Sequence, residues 1–364
     1  MHASVLRLLY EGLAPAAHQD PAALPFSPED LASSALRLPD VSDASGTSAE
    51  IAGRASWTPC EKNGIRWLER PASGLPGPVY ISGASTSSLD VARRLLEADL
   101  LPEWGSVLSL SQSAGRGQMR RAWSSPAGNL YSALRLPMTA PFDTFAAAPA
   151  CGALLAEALE RAGCPVMLKW PNDLLQATAS YRPGATPGRE DCRKVGGMLL
   201  EERQGALIAG TGINLTSCPP LSSLRDNYAF SAGVLMCENG VPLMGSAMEN
   251  DRKNKGIVTI FTLWNQLAAS LFSCYSEKKP PDSWWPGLAE KHLAFRGCRV
   301  TLADACPEKE TLVRIPCEGV VDGVTATGAL RLRTAYGTET FLGGSLLPGD
   351  AAERNLSDRD PSSE

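Results

Sequence analysis

The chain reads as an α+β protein that ends in a small β-barrel. Three features predict this. From Val79 onward, short apolar runs stop at Gly, Asn or Pro turns. Amphipathic segments with helical spacing are set between them. From Gly297 the texture is all strand, with "CRVTLA", "TLVRIPCEGVVDGV", "GALRLRT" and "TETFLGG" cut by Gly and Asp turns. With 364 residues, 44% apolar and 20% charged, the chain can bury a large core and divide into about two domains.

Each element follows from its own residues. Residues 1–78 hold nine prolines among Ala, Ser and Asp, with only short apolar runs, which predicts a loosely folded N-terminal extension. "VYISG" (79–83) is a strand. "STSSLDVARRLLEADL" (85–100) is a helix with Leu89, Ala92, Leu95 and Leu96 at helical spacing, and Ser87 with Asp90 resembles a capping box. "SVLSLSQ" (106–112) and "LYSALRL" (130–136) are strands entering and leaving the loop "SAGRGQMRRAWSSPAGN". "DTFAAAPACGALLAEALERAG" (143–163) is a core helix, despite Pro149 near its start. Next come "CPVMLKW" (164–170), the turn "PNDL", a Pro/Gly-rich insert from about Gln176 to Arg193, and the strands "KVGGMLLEE" and "ALIAGTGINL". A further amphipathic helix spans 256–279, before a Trp-rich segment. The domain limits are then 1–78, 79–295 and 296–349, with an acidic tail from 350 to 364.

Composition excludes several functions. Net charge is −5, which argues against general nucleic-acid affinity, and the first 78 residues show no helix-turn-helix period, so DNA is not an expected partner. No run of about 18 uninterrupted apolar residues occurs, which excludes a spanning helix and makes the cytoplasm the default location. The ten cysteines include no CxxC pair, so they read as reduced and mostly buried. The three histidines, two of them near the start, give little support to His-based metal sites or to Ser-His-Asp catalysis.

Local charge is more telling. Between Glu103 and Asp143 there is no acidic residue, yet Arg116, Arg120, Arg121 and Arg135 lie there, the first three in one Gly-containing loop. Such a basic island suits an anionic ligand, because glycine lets backbone N–H groups approach it closely. Four polar elements stand at strand ends: this loop, "KWPND" (169–173), "KVGG" (194–197) and "GTGIN" (210–214). They suit the chemistry of an activated phosphate ester, which needs charge neutralisation and no protein nucleophile. Arg116 and Arg121 can pair with phosphate, Asp173 can hold Mg²⁺ directly or through water, and Lys194 can reach a carbonyl or phosphate oxygen. Plainer readings stand beside these: an Asx turn at Asp173, exposed strand ends at Lys169 and Lys194, and tight packing at Gly196, Gly197, Gly210 and Gly212.

The combination resembles the biotin protein ligase family. Residues 83–215 carry "STSS", "QSAGRGQMRRAW", "SSPAGNLYSAL", "KWPND", "KVGGMLLE" and "GTGIN" in that family's order and spacing, and residues 297–348 resemble its C-terminal SH3-like barrel. The resemblance implies a mixed β-sheet catalytic domain followed by that barrel. It also implies a two-step reaction: biotin attacks the α-phosphate of ATP to give biotinyl-5′-adenylate, and a lysine of a biotin carboxyl carrier domain takes the biotinyl group. ATP and Mg²⁺ are the implied cofactors, and a homodimer is one possible state.

Carried over by motif position, Ser85, Thr86, Ser87, Gln112, Gly115, Arg116, Gly117, Lys194 and Gly197 are the implied biotin contacts. Arg116, Gln118, Arg120, Arg121, Trp123, Asn172 and Asn214 are the implied ATP and adenylate contacts. Lys194, Arg116 and Asp173 are implied in catalysis, with Asp173 as metal ligand, and the loop is expected to close over the adenylate. Gln118 and Met119 depart from the family loop, which has arginine and then a second arginine before its glycine; either Arg120 replaces the lost contact or the adenylate leaks. Ser87 for Asn and "GGS" (343–345) are milder departures. Lipoate or octanoate ligation is the nearest alternative activity, and a biotin-binding regulator without catalysis is a third reading.

Overall fold

The structure, a computed structural model, describes residues 4–11, 58–72, 74–118, 121–178, 188–220, 230–238, 240, 242–243, 260–277, 284–307 and 315–348. Its first strands are β1 (Val5–Glu11), β2 (Thr58–Lys62), β3 (Ile65–Pro71), β4 (Val79–Ser85), β5 (Ser106–Gln112) and β6 (Leu130–Leu136). They are followed by β7 (Met167–Lys169), β8 (Asp173–Ala177), β9 (Cys192–Arg203) and β10 (Ala206–Ile213). The helices are α1 (Ser88–Glu97), α2 (Ala147–Arg161), α3 (Ile260–Glu277) and α4 (Trp284–His292). The ten strands form one mixed sheet in the order β2-β3-β1-β4-β5-β6-β10-β9-β8-β7, parallel only where β4 meets β1 and β5. The α+β reading holds.

One expectation fails. Residues 5–11 and 58–71 are not a loose extension: β1 lies inside the sheet between β3 and β4, with Leu6 and Leu8 fully buried. Burying each such leucine contributes about 1.5–3 kcal/mol. β2 and β3 are joined by Asn63 and Gly64, both at positive φ, the backbone that a two-residue hairpin turn requires. Residues 1–3, 12–57 and 73 of the expected extension, and the acidic tail, lie outside the described residues.

The sheet's two faces are covered differently. Alternation along each strand sends Leu130, Leu134, Leu207 and Ala209 to the face packed by α2, α3 and α4, where most of the core sits. The opposite face carries Tyr80, Val107, Ala133 and Ile208, and these pack under α1 through Leu89, Ala92 and Leu95. On this face α1 packs over β4, β5, β6 and β10 and reaches β9 through Arg93, which pairs with Glu201.

Four strands, β11 (Arg299–Pro307), β12 (Ile315–Val324), β13 (Leu330–Thr334) and β14 (Gly337–Pro348), close into a barrel of the SH3-like kind. It is fastened to the larger domain at named points. Trp170 Nε1 donates to the Gly328 carbonyl (2.9 Å), Arg331 pairs with Glu290 of α4 (3.1 Å), and Gly328 lies so close to α2 that a Cβ there would stand 2.6 Å from Ala146 Cα.

Candidate active site

Strand register builds the centre of the site. Pairing aligns Lys169, Asp173, Gly197, Gly212 and Tyr131 in one row across β7, β8, β9, β10 and β6. The row lies on the α1 face, because Gly210, two residues before Gly212, packs under Leu89 of α1. Two neighbouring members of the row have no side chain, so backbone floors a trough there. At Gly212 the space is taken by the Trp123 indole, whose Nε1 would lie 2.7 Å from a Cβ. At Gly197 a Cβ would make only ordinary contacts, with Asp173 Oδ1 at 3.4 Å and with the Asn172 carbonyl oxygen and Lys194 Cε at 3.5 Å each.

Charge is concentrated beside Gly197. Lys194 Nζ is 2.5 Å from Asp173 Oδ1 and 5.3 Å from the centre of the Trp123 ring. Lys169 reaches the other carboxylate oxygen at 3.3 Å. Lys169 is buried, with its ammonium 5.8 Å from the Phe230 ring centre, so it is no exposed strand end. Burial favours the neutral form of Asp173, but the charges and hydrogen bonds of the two lysines outweigh it and hold the carboxyl below its ordinary range. Asp173 is therefore a fixed negative charge that orients two ammoniums, and a poor proton acceptor.

The same pairing bears on Mg²⁺. Both oxygens of Asp173 are already engaged by cations, and Asp173 belongs to no group of three potential metal ligands among the described residues. This donor set does not fit a metal ion held by the protein at Asp173.

A second cluster surrounds the start of α1. Ser87 caps the helix by accepting from Asp90 N–H at 3.1 Å. The Gln112 carboxamide accepts from Ser88 N–H (2.7 Å) and donates to Ser125 Oγ (2.8 Å), while Ser85 bonds Ser109. Asp90 does not complete a capping box. Its carboxylate instead takes Arg116 in a two-pronged pair (3.0 Å each) and Thr86 Oγ1 (2.9 Å). Arg116 also faces Glu201 of β9 at 3.5 Å, and Arg93 bridges Asp90 and Glu201 at 3.1 Å each. The arginine expected to cradle an anion is thus held by two of the protein's own carboxylates.

The loop joins the two clusters. It leaves β5 bonded to the serine–threonine segment (Ser113 N–H to Ser85 O and Ala114 N–H to Thr86 O, 2.9 Å each), and Trp123 N–H returns to the Gly115 carbonyl at 2.8 Å. Gly115 is obligatory there, since a Cβ would stand 2.4 Å from Ser125 Oγ. Downstream, Asn129 accepts from the N–H groups of Leu215 and Thr216 (2.9 Å each), pinning the loop's exit to the end of β10. Gly117 accepts no side-chain clash and donates to the Arg121 carbonyl at 2.8 Å; Gln118 is exposed beside it. Met119 and Arg120 lie outside the described residues.

The two asparagines have structural bonds. Asn172 donates to the Met198 carbonyl at 2.5 Å, tying β8 to β9. Asn214 donates to Gly233 O at 3.1 Å, but its buried Oδ1 has no hydrogen-bond partner, and neither does Trp123 Nε1. Buried polar atoms left in this state are costly unless something else binds them. Asp90, Glu201, Lys169 and the segment 230–235 were not singled out in the sequence as site residues. For Lys169 a signal existed, four residues before Asp173 in the "KWPND" motif.

Residues 82–216 match the model of the biotin/lipoate A/B protein ligase family. In this stretch the chain is similar to that family. The chain also aligns over 186 residues, 29% identical, with the bifunctional ligase/repressor BirA of Bacillus subtilis (strain 168). That alignment takes in 47% of this chain and 53% of BirA, so the chain spans about half the length of the curated relative it matches. In fold it is similar to the biotin protein ligase from Aquifex aeolicus in complex with biotin and ATP, at a TM-score of 0.51 and 21% identity, over 74% of this chain and 97% of that one. A variant of the Aquifex enzyme in complex with biotin gives a TM-score of 0.51 at 20% identity, over 75% and 98% of the two chains. The family resemblance read from the motifs is borne out. Among the described residues no helix is long and apolar enough to cross a membrane.

Proposed function

We propose that this ligase domain activates biotin with ATP to biotinyl-5′-adenylate and passes the biotinyl group to a lysine of a biotin carrier domain. The observation that carries the reading is the grouping of the Lys194 ammonium with Asp173 and the Trp123 ring beside the side-chain-free backbone of Gly197 and Gly212, with the buried Trp123 Nε1 left without a partner.

The chemistry follows from charge. A carboxylate oxygen attacks the α-phosphorus, the bond to the β-phosphate bridging oxygen breaks, and pyrophosphate leaves. Negative charge accumulates on the phosphate oxygens as this happens, and a pre-oriented ammonium stabilises it without reorganising solvent. Lys194, fixed by Asp173 and by the Trp123 ring, is the group in position for this role. Lys169 keeps Asp173 ionised and so keeps Lys194 aimed. In the second step the neutral amine of the acceptor lysine attacks the acyl carbon and AMP leaves. Mg²⁺ enters as the counter-ion of ATP and is part of the substrate. Arg116 reaches the reacting anion only by giving up Asp90 and Glu201, which makes loop closure an exchange of one anionic partner for another.

Biotin-dependent exchange of labelled pyrophosphate into ATP tests the reading, with lipoate and octanoate run in parallel. Exchange with biotin alone is expected; exchange only with another acid would move the assignment to a sister ligase, and none with any acid would refute adenylation. Gln118→Arg tests retention of the intermediate: free biotinyl-adenylate released without acceptor is expected to fall in the variant, and equal release would show that Gln118 is not the leak.

A further inference from the structure

Outside the site, two thiols stand facing each other. Cys164 Sγ, in the turn before β7, is 3.8 Å from Cys237 Sγ. They are 73 residues apart in sequence. The contact is built from both sides. One residue away, Glu238 N–H donates to the Gly163 carbonyl at 3.0 Å, and so draws the two chain segments together. On the other side the Gln176 carboxamide clasps both segments: its Nε2 donates to Pro165 O (3.0 Å) and Met236 O (2.8 Å), and its Oε1 accepts from Met236 N–H (2.8 Å). Each cysteine is thus flanked by a tethered residue, and the sulfurs need approach by under 2 Å to reach bonding distance, about 2.05 Å.

We propose that Cys164 and Cys237 are a redox-modification site that closes into a reversible intrachain disulfide when a hydroperoxide reaches it. Cys237 is half-buried and Cys164 fully buried, so the oxidant meets Cys237 first. The Cys237 thiol gives up two electrons to the peroxide, forming a sulfenic acid and releasing water. Cys164 sulfur then attacks the sulfenic sulfur, the S–O bond breaks, and a second water leaves. Two thiols and one peroxide yield one disulfide and two waters. Burial pushes the Cys164 thiol up to about 12, so it stays protonated until the resolving step, in which its proton leaves with the departing oxygen as the S–S bond forms.

The bond would act on a segment that touches the ligase site. Residues 230–237 run beside β9: Lys194 N–H donates to Ser231 O (2.8 Å), Gly233 N–H to Lys194 O (3.0 Å), and Leu235 N–H to Asn214 O (2.8 Å). A disulfide at Cys237 therefore fastens the segment that backs Lys194 and Asn214. This proposal does not rest on the choice of substrate.

The test uses the full chain, reduced, freed of reductant, exposed to hydrogen peroxide, quenched by alkylation and mapped as proteolytic peptides by mass spectrometry. The expected product is one peptide pair joined through Cys164 and Cys237, two hydrogens lighter than the thiol forms and restored by dithiothreitol. Cys237→Ser removes it, and Gln176→Ala, which releases the clasp, slows its formation several-fold. Recovery of both cysteines as alkylated thiols after other cysteines have oxidised would overturn the proposal. So would separate oxidation of each to sulfinic acid, or pairing of either with a different cysteine. Because the wild-type map decides by itself, poor folding of a variant leaves the test intact.

Discussion

Asp173 and Glu157 are two carboxylates in nearly the same electrostatic position, yet only one borders bare glycine backbone. Asp173 holds two lysines; Glu157, on α2, holds Lys291 at 2.7 Å, His292 at 3.0 Å and Arg161 at 3.1 Å. Both are largely shielded, with side chains 19% and 12% exposed. Burial pushes Glu157 towards its neutral form, but hydrogen bonds from Lys291 and His292 prevail and bring its pKa to about 2. The surroundings differ. Glu157's cations come from α2 and α4 and close on it, stapling one helix to the other, and Glu160 beside it is paired with Lys291. Asp173 borders a strip of backbone with no side chain at Gly197 and shares Lys194 with the Trp123 ring. Glu157, Glu160 and His292 have the spacing of a metal group, but their charge is already answered. Density of ion pairs does not mark an active site; what sets Asp173 apart is the side-chain-free backbone of Gly197 beside it.

Removing a cation from each carboxylate separates the two most sharply. Lys194→Ala is expected to lower pyrophosphate exchange on the order of 10²–10³-fold, the scale of losing one preorganised charge-stabilising donor. Lys291→Ala should leave exchange unchanged; a comparable loss there would break the comparison. Filling the trough comes next. Gly212→Ala puts a methyl group against Trp123, and overpacking of about 1–2 kcal/mol should raise KM for ATP by about tenfold, with kcat for the transfer less affected.

A smaller effect is expected at the loop's latch. In Asp90→Asn the Arg116 pair is weakened, and limited proteolysis between Arg116 and Arg121 should quicken a few-fold in the ligand-free protein. Burial raises the Asp90 pKa, but hydrogen bonds from Arg116, Thr86 and Ser87 bring it below its ordinary value. The latch is therefore fully formed above that ordinary value and is lost as pH falls through the depressed one. Protease sensitivity of the wild-type protein should rise over that window, and the variant's should not.

Glu157→Gln is expected to change activity least. It should cost about 1–3 kcal/mol of stability at neutral pH by leaving its cations underpaired, read by urea denaturation, with exchange intact. Since the folded pKa lies below the ordinary 4.5, that stabilisation is present above 4.5 and fades as pH drops toward 2. Loss of exchange in this variant would mean that the staple between α2 and α4 also positions the site.

Much of this arrangement was legible in the residues. From Val79 to Asn214 the strand runs, the capped helix and the four polar elements carry local signals, because turns, caps and alternation are set by neighbours in sequence. β1 carries no such signal: "VLRLLYE" fits helix or strand, and what decides is pairing with β3 and β4, far away in the chain. The Asn63-Gly64 dipeptide was a usable hairpin signal for β2 and β3, hidden by the proline-rich composition around it. In the site, motif positions located Lys194, Asp173, Gly197 and Trp123 together. That Arg116 is held by Asp90 and Glu201 could not be read, because the partners are 26 and 85 positions from it and meet only once α1 and β9 are folded.

The place of β1 also has a consequence for synthesis. Leu6 and Leu8 are translated well before Leu68, Arg70, Val79 and Ile81, the strand residues that sit beside them in the finished sheet. Throughout that interval the nascent chain carries an apolar strand with neither neighbour yet made, the kind of segment that other chains can capture. Slow translation of residues 12–64 would lengthen that exposure, and a folding helper acting on the emerging chain would have its target at the very start of the sheet.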